Sequence, residues 1–98
     1  MPSPKLDPQE IQAALGKLQG WTLKNDKLHR EYQFPDFARA MGFMTISALR
    51  IEAMNHHPEW SNVYNRVTVD LTTHDSGGVT ERDVKLAEKL EEAARKLL

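Results

Sequence analysis

Three of the four histidines lie where the sequence pattern predicts the ends of regular elements. His56 and His57 follow a long helical pattern, and His74 follows the last predicted strand. An imidazole titrates near ~6.5, so it can donate or accept a proton at neutral pH. Adjacent loop residues point in different directions, so we expect His56 and His57 to have different roles. These residues favour acid–base chemistry, although loop histidines are also common as ordinary surface residues.

A metal site is the main alternative use of these histidines. The sequence has no cysteine and no HxxxH spacing, and adjacent histidines rarely bind the same ion. Motifs for a phosphate-binding loop, a dinucleotide-binding turn or an activated nucleophile are also missing, and Ser61 and Ser76 stand in no such motif. We therefore expect neither a metal nor a bound cofactor.

Other polar and aromatic residues lie near the histidines in sequence. Glu52, one helical turn before the pair, projects near the middle of the apolar helix face. There its carboxylate either reaches solvent or bonds a polar neighbour such as an imidazole. Trp60 and Tyr64 could line a slot for a planar heterocycle or pack in the core. His29, on the polar side of a strand, is expected to be solvated.

Proline and apolar spacing predict the start of the chain. Three prolines within the first eight residues favour a short mobile tail over residues 1–6, followed by a single domain over 7–98. Asp7 is a candidate N-cap, with Pro8 and Glu10 in favourable positions after it. The first helix then carries an apolar stripe up to Gly20, formed by Ile11, Ala14, Leu15 and Leu18.

Alternating and helical patterns predict the remaining order of elements. Trp21 to Lys24 and Lys27 to Gln33 read as a β-hairpin, and residues 62–73 read as a second β-rich region. Thr80 and Asp83 mark the start of a final helix. The order α-β-β-α-β-β-α favours an α+β fold, with one antiparallel sheet and its helices packed on one face.

The long helix, predicted from Pro35-Asp36 to about Asn55, has apolar residues on two sides. Its broad face is predicted to hold Phe37, Ala38, Met41, Met44, Ala48, Leu49 and Ile51. Phe43 and Ile46 project roughly opposite. A second apolar patch on a chain with a small core predicts self-association, although single exposed apolar residues are also common.

Composition limits the class of protein. The chain has 98 residues, 40% of them hydrophobic, and a formal net charge of -1, which suits one globular domain. The near-neutral charge argues against nucleic acid or an anionic membrane as the main partner. The sequence shows neither an 18-residue apolar run nor a signal-peptide pattern, so we expect a cytoplasmic protein without direct membrane or nucleic acid binding.

Several motifs together resemble one known family, the pterin-4a-carbinolamine dehydratases. The resemblance covers nearly the whole chain from about residue 7. It rests on EAMNHHPEW over 52–60, NVYN over 62–65, LTTH over 71–74, and, in the same order as in the family, Phe34-x-x-Phe37, Gly42-Phe43-Met44 and Glu81-Arg82-Asp83. It implies three helices against a four-stranded antiparallel sheet, in homo-oligomers that are commonly dimers or tetramers.

The resemblance also implies an activity. Members remove water from a 4a-hydroxytetrahydropterin to give quinonoid dihydropterin, which recycles the cofactor of aromatic amino acid hydroxylases. By resemblance, the catalytic residues are His56 and His74 in acid–base roles and His57 in binding and orienting the pterin. The implied substrate-binding residues are Asn55, His56, His57, Trp60, Thr72, Thr73 and His74, with Glu52 in a supporting role.

Two questions stay open from the sequence. Many relatives have Asp where this chain has Asn55, so the group that tunes His56 is not fixed, and neither is the choice of acid and base. Animal members also bind a homeodomain transcription factor. A non-catalytic module that stabilises a transcription factor or hydroxylase partner is therefore the alternative function, and the three intact histidines favour the enzyme.

Overall fold

Three helices and four strands alternate along the chain in a computed structural model that describes residues 3–98. In chain order the elements are α1 (Pro8–Leu15), β1 (Thr22–Lys24), β2 (Lys27–Gln33), α2 (Phe37–Met54), β3 (Glu59–Val63), β4 (Arg66–Leu71), a short 3₁₀ helix (His74–Ser76) and α3 (Glu81–Arg95). This confirms the predicted α-β-β-α-β-β-α order.

The strands form a single antiparallel sheet in the order β1-β2-β4-β3. In the central pair, Leu28 lies opposite Leu71 and Tyr32 opposite Val67, all four of them buried. Residues between them face the other side, because side chains alternate along a strand. The sheet therefore has one apolar face, against which the helices pack, and one polar outer face, as predicted.

Two capping boxes fix the starts of α1 and α3. Asp7 and Glu10 exchange side-chain and backbone hydrogen bonds at α1, and Thr80 and Asp83 do so at α3. The first helix is shorter than predicted, since it ends at Leu15 and the chain continues in turns to Gly20. Leu18 is buried all the same, because the turns return it to the core.

The orientation of α2 differs from the prediction. Its buried residues are Ala40, Phe43, Ser47 and Ile51. Phe43, predicted to lie off the core face, is fully buried against Tyr32 and Phe34, whereas the side chains left exposed are Phe37, Met41, Ile46 and Leu49. Apolar residues surround this helix, so the pattern alone does not choose the face that packs. The predicted second patch of Phe43 and Ile46 is therefore wrong at Phe43, whereas Ile46 is exposed as expected.

The β3–β4 region also begins earlier than predicted. Strand β3 starts at Glu59, not at residue 62, because Glu59 and Trp60 pair with Asp70 and Val69 of β4. The hairpin turn lies at Tyr64 and Asn65, and Tyr64 adopts a left-handed conformation there, with φ 54°.

One partly buried polar cluster ties α3 to the sheet. Oε1 of Glu91 accepts hydrogen bonds from Trp21 Nε1 at 2.9 Å, Arg30 Nε at 3.1 Å and Tyr32 Oη at 2.5 Å. Burial, followed by the contact with Glu91, raises the pKa of the Tyr32 phenol far above its ordinary value. The phenol therefore stays protonated and serves as a hydrogen-bond donor.

The segment before α1 lies along the turn that joins the 3₁₀ helix to α3. Leu6 donates its backbone N–H to Val79 at 2.8 Å, and Ser76 Oγ donates to the carbonyl oxygen of Ser3. The predicted mobile tail over residues 1–6 lies partly outside the described residues, and its remaining part makes these contacts. Within residues 3–98, no helix has both the length and the apolar composition of a membrane span.

Candidate functional site

The turn after α2 directs the two adjacent histidines to different sides. Asn55 ends the helix in a left-handed conformation, with φ 49° and ψ 43°, which Asn adopts more readily than most residues. Its backbone N–H closes the last turn of α2, and its carbonyl oxygen accepts a hydrogen bond from Arg82 at 3.1 Å. After this reversal His56 is buried and His57 is exposed, in agreement with the expected difference in their orientation.

His56 is paired with a carboxylate inside the protein. Its Nε2 lies 2.5 Å from Oδ1 of Asp83, and both side chains are almost completely buried. A ring proton on Nε2 suits this contact, because the carboxylate oxygen can then accept it as a hydrogen bond. Nδ1 then carries the lone pair that can accept a second proton.

Asp83 is the centre of the site and was not predicted as a site residue. Its Oδ2 accepts hydrogen bonds from Thr73 Oγ1 and the Thr80 backbone N–H, both at 2.8 Å. It also lies in the first turn of α3, where the helix dipole favours a negative charge. The sequence indicated Asp83 only as a capping residue and as part of a family motif. One carboxylate therefore caps α3 and holds both His56 and Thr73.

His57 makes its contact at the surface. Its Nε2 lies 2.8 Å from Oε1 of Glu52, with exposed fractions of 58% and 77% for the two side chains. Glu52 lies on the apolar face of α2 as predicted, but that face is exposed, because the buried residues of the helix are on the opposite side. The other expectation, that Glu52 bonds an imidazole, is met by His57.

His74 is the first residue of the 3₁₀ helix and is 78% exposed. Its Nε2 lies 3.3 Å from Oε2 of Glu59, a residue to which the sequence assigned no role. Each of the three candidate histidines is therefore paired with a different carboxylate: His56 with Asp83, His57 with Glu52, and His74 with Glu59.

The remaining predicted contact residues divide between this region and other parts of the molecule. Thr72 is half-buried directly after β4, and Thr73 uses its hydroxyl group to hold Asp83. Trp60 is half-buried on the helix-facing side of β3, packed against the core. Tyr64 does not join them, because it lies in the turn at the opposite end of β3. Of the two uses considered for this pair, core packing holds for Trp60, whereas Tyr64 is exposed and the two rings form no shared slot.

His29 belongs to the outer face of the sheet. Its Nδ1 lies 2.8 Å from Oδ1 of Asp70, and both side chains are partly buried, so the prediction of a simply solvated histidine is wrong. The pair lines a cavity of about 240 Å³, to which Lys27 and Glu59 also contribute. Register places Asp70 opposite both His29 and Glu59.

The candidate site is only partly exposed, because His57 and His74 lie at the surface and His56 is buried. A groove of about 600 Å³ lies between the N-terminal segment, α1 and α3, and its lining includes none of the four histidines. In the described part of the chain, no three His, Asp or Glu side chains are grouped as metal ligands. The arrangement offers one buried imidazole and two exposed ones, each in contact with a carboxylate oxygen.

Comparison with known proteins identifies one family that matches most of the chain. The family model for pterin 4 alpha carbinolamine dehydratase matches residues 4–93. A Solibacter usitatus protein provisionally named as such a dehydratase is 62% identical over 90 residues, which cover 92% of this chain and 95% of that protein. A similarly named Rhizobium rhizogenes protein is 53% identical over 92 residues, with 92% and 91% covered.

A solved structure shares the fold. The crystal structure of a Brucella melitensis protein, described as a transcriptional coactivator/pterin dehydratase, superposes with a TM-score of 0.90 at 44% identity. The match covers 92% of this chain and 98% of the Brucella chain. With a family model that spans most of the sequence and relatives that match over nearly their full length, the chain belongs to the pterin-4-alpha-carbinolamine dehydratase family of enzymes.

Proposed function

We propose that this protein catalyses the loss of water from a 4a-hydroxytetrahydropterin to give quinonoid dihydropterin. The observation that carries this proposal is the set of three histidines, each paired with its own carboxylate. Such pairs provide imidazoles that can hold and release protons at neutral pH. Family membership supplies the substrate class, because the relatives are named for this dehydration.

The reaction needs two proton transfers and no electron transfer. The bond between C4a and the hydroxyl oxygen breaks, the proton on N5 leaves, and a C4a–N5 double bond forms as water departs. Hydroxide is a poor leaving group, so an acid must protonate the oxygen while a base accepts the N5 proton. No redox cofactor is needed for this step.

The environments of the histidines support a division of roles. His56 and His74 carry the two proton transfers, and Asp83 stabilises the imidazolium form of His56 from within the protein. His57, held by Glu52 at the surface, binds and orients the pterin. Thr72 and Trp60 contribute nearby contacts, whereas Asn55 and Thr73 act through the backbone turn and through Asp83. The product is a dihydropterin, so a separate two-electron reduction must regenerate the tetrahydropterin before a hydroxylase can use it again.

A turnover assay tests the proposed function directly. The substrate is generated in place by a pterin-dependent aromatic amino acid hydroxylase, and quinonoid dihydropterin formation is followed by its absorbance. We expect a rate above the uncatalysed dehydration that is proportional to protein concentration. An unchanged rate at micromolar protein would reject the enzyme and favour the non-catalytic binding module.

We further propose that the protein forms homo-oligomers through α2. The exposed side of this helix presents four large apolar side chains, with Leu49 73% exposed: Phe37, Met41, Ile46 and Leu49. Exposed apolar patches of this kind mark interaction surfaces, and a symmetric second copy buries the same patch on both subunits. The family resemblance supports dimers or tetramers.

A further inference from the structure

His74 differs from His56 in how its ring is held. The His56 ring is enclosed by the protein, whereas the His74 side chain is 78% exposed in a three-residue 3₁₀ helix. An exposed imidazole can rotate about two side-chain bonds, so burial does not fix the direction of its nitrogens. Its orientation therefore depends on the polar groups it contacts, and the contact that the structure shows is with Glu59.

Glu59 makes a separate contact through each carboxylate oxygen. Oε1 lies 2.6 Å from Nζ of Lys27, and Oε2 lies 3.3 Å from Nε2 of His74. Lys27 begins β2 and Glu59 begins β3, with β4 between these strands, so the ion pair crosses the outer face of the sheet. Lys27 thereby holds one carboxylate oxygen of Glu59, and the other oxygen faces the imidazole of His74.

The neighbours of Glu59 also favour the ionised form of its carboxyl group. The hydrogen bond from Lys27 is the main cause that lowers the pKa of the Glu59 carboxyl, and the proximity of His74 acts in the same direction. The charged and titratable groups around this contact are Lys27, His29 and Asp70 on the neighbouring strands and Lys24 on β1. At neutral pH Glu59 is ionised and accepts hydrogen bonds only.

We infer that Glu59, anchored by Lys27, is a positioning residue for His74. Its carboxylate oxygen, 3.3 Å from Nε2, favours a ring proton on that nitrogen and so leaves Nδ1 as the nitrogen that exchanges a proton with the substrate. The catalytic consequence rests on the proposed dehydratase function, whereas the orientation of the ring does not. Both side chains are exposed, so the effect on rate is about two- to fivefold.

Variants of Glu59 test the inference through turnover. Glu59→Ala should lower kcat about two- to fivefold with little change in KM. Glu59→Gln should recover most of the rate, because its amide oxygen still accepts Nε2–H. Glu31→Ala removes another exposed glutamate of the outer face, one that lies near Arg66, and should leave kcat unchanged. Circular dichroism should be the same for all three variants.

A double-mutant cycle separates positioning from a general effect on structure. If Glu59 acts through His74, Glu59→Ala should cause no further loss in a His74→Ala background. A further loss as large as in the wild-type background would overturn the inference, because Glu59 would then act independently of His74.

A spectroscopic measurement tests the orientation of the His74 ring independently of turnover. Ring ¹⁵N resonances report which imidazole nitrogen is protonated and how ordered the ring is. In Glu59→Ala the His74 resonances should shift and average between tautomers, whereas Glu31→Ala should leave them in place. Unchanged His74 resonances in Glu59→Ala would overturn the inference. Changed resonances in a protein without turnover would support it and reject only the proposed dehydration.

Discussion

Oδ1 of Asp83 lies 2.5 Å from Nε2 of His56, and this contact joins the first turn of α3 to the loop that follows α2. The second oxygen of the same carboxylate holds Thr73, the residue before His74. One buried side chain therefore connects the two chain segments that carry the candidate histidines. Any change at Asp83 should affect both segments together.

Asp83→Asn should lower turnover and stability together. The amide keeps the shape of the side chain, but an NH₂ group replaces one of the two oxygens. The hydrogen-bond donors that this oxygen accepted from then have no acceptor. We expect kcat to fall about 10- to 100-fold, as for other residues that orient a functional imidazole. The free energy of unfolding should fall by about 1–3 kcal/mol. Urea denaturation and the turnover assay measure the two effects.

Asp75→Asn is the matched control for Asp83→Asn. Asp75 is an exposed carboxylate in the 3₁₀ helix of the same region. Its substitution should change neither kcat nor the urea midpoint appreciably. An Asp83→Asn protein with the activity of the wild type would show that the buried pair is purely structural.

Alanine substitutions should separate the roles of the histidines. His56→Ala and His74→Ala should each slow dehydration, since a positioned acid or base typically contributes about 10²–10⁴-fold. His57→Ala should act mainly on KM. The double variant His56→Ala/His74→Ala should fall close to the uncatalysed rate, without multiplying the two single losses. Near-wild-type turnover in the double variant would favour the binding module.

His29→Ala is the control for that series. His29 is also paired with a carboxylate, that of Asp70, but on the outer face of the sheet. Turnover should be unchanged in this variant. A large loss of kcat with an intact fold would show that the site extends to the outer face of the sheet.

Tyr32→Phe should make the stability of the protein decrease less steeply with pH in the alkaline range. The folded protein keeps the phenol protonated because burial and Glu91 raise its pKa, whereas the unfolded chain ionises near ~10. This contribution to stability is therefore fully present below ~10 and decreases as the pH rises beyond it. Urea midpoints between pH 8 and 11 should fall more steeply for the wild type than for Tyr32→Phe.

Ser47→Ala should stabilise the protein. Oγ of Ser47 is the one buried side-chain polar atom without a hydrogen-bond partner in the part of the chain that the structure describes. Its removal avoids this desolvation cost, and Ala has the higher helix propensity, for a gain of about 0.5–1 kcal/mol. Thr45→Ala is the control, because that hydroxyl is exposed and bonded to Met41. Destabilisation by Ser47→Ala would indicate an unseen partner.

Leu49→Lys should weaken self-association. It places a charge in the exposed apolar face of α2, so burial against a second copy would be costly. Sedimentation at micromolar concentration should show a dimer or larger for the wild type and a shift towards the 11.2 kDa monomer for the variant. Leu98→Lys changes an exposed apolar residue outside α2 and should leave the assembly intact. A monomeric wild type would remove the proposal.

Local patterns were sufficient to predict the element order, the sheet and both capping boxes. They failed where the outcome depends on distant packing. Helix α2 has apolar residues on all sides, and the cluster with Tyr32 and Phe34 determines that Phe43 is buried. The pairing of Asp83 with His56 joins residues 27 positions apart, and no periodicity encodes it. Family motifs identified the three histidines, but only the folded chain shows their carboxylate partners.

The contact between the N-terminal segment and the turn before α3 affects where a purification tag should be attached. Ser3 and Leu6 bond to Ser76 and Val79, just after His74, so a tag joined at the N-terminus would lie beside the candidate site. The C-terminus follows α3, whose 15 residues extend on the order of 20 Å away from its first turn. A C-terminal tag would therefore leave the histidines accessible and make kinetic comparisons between variants more secure.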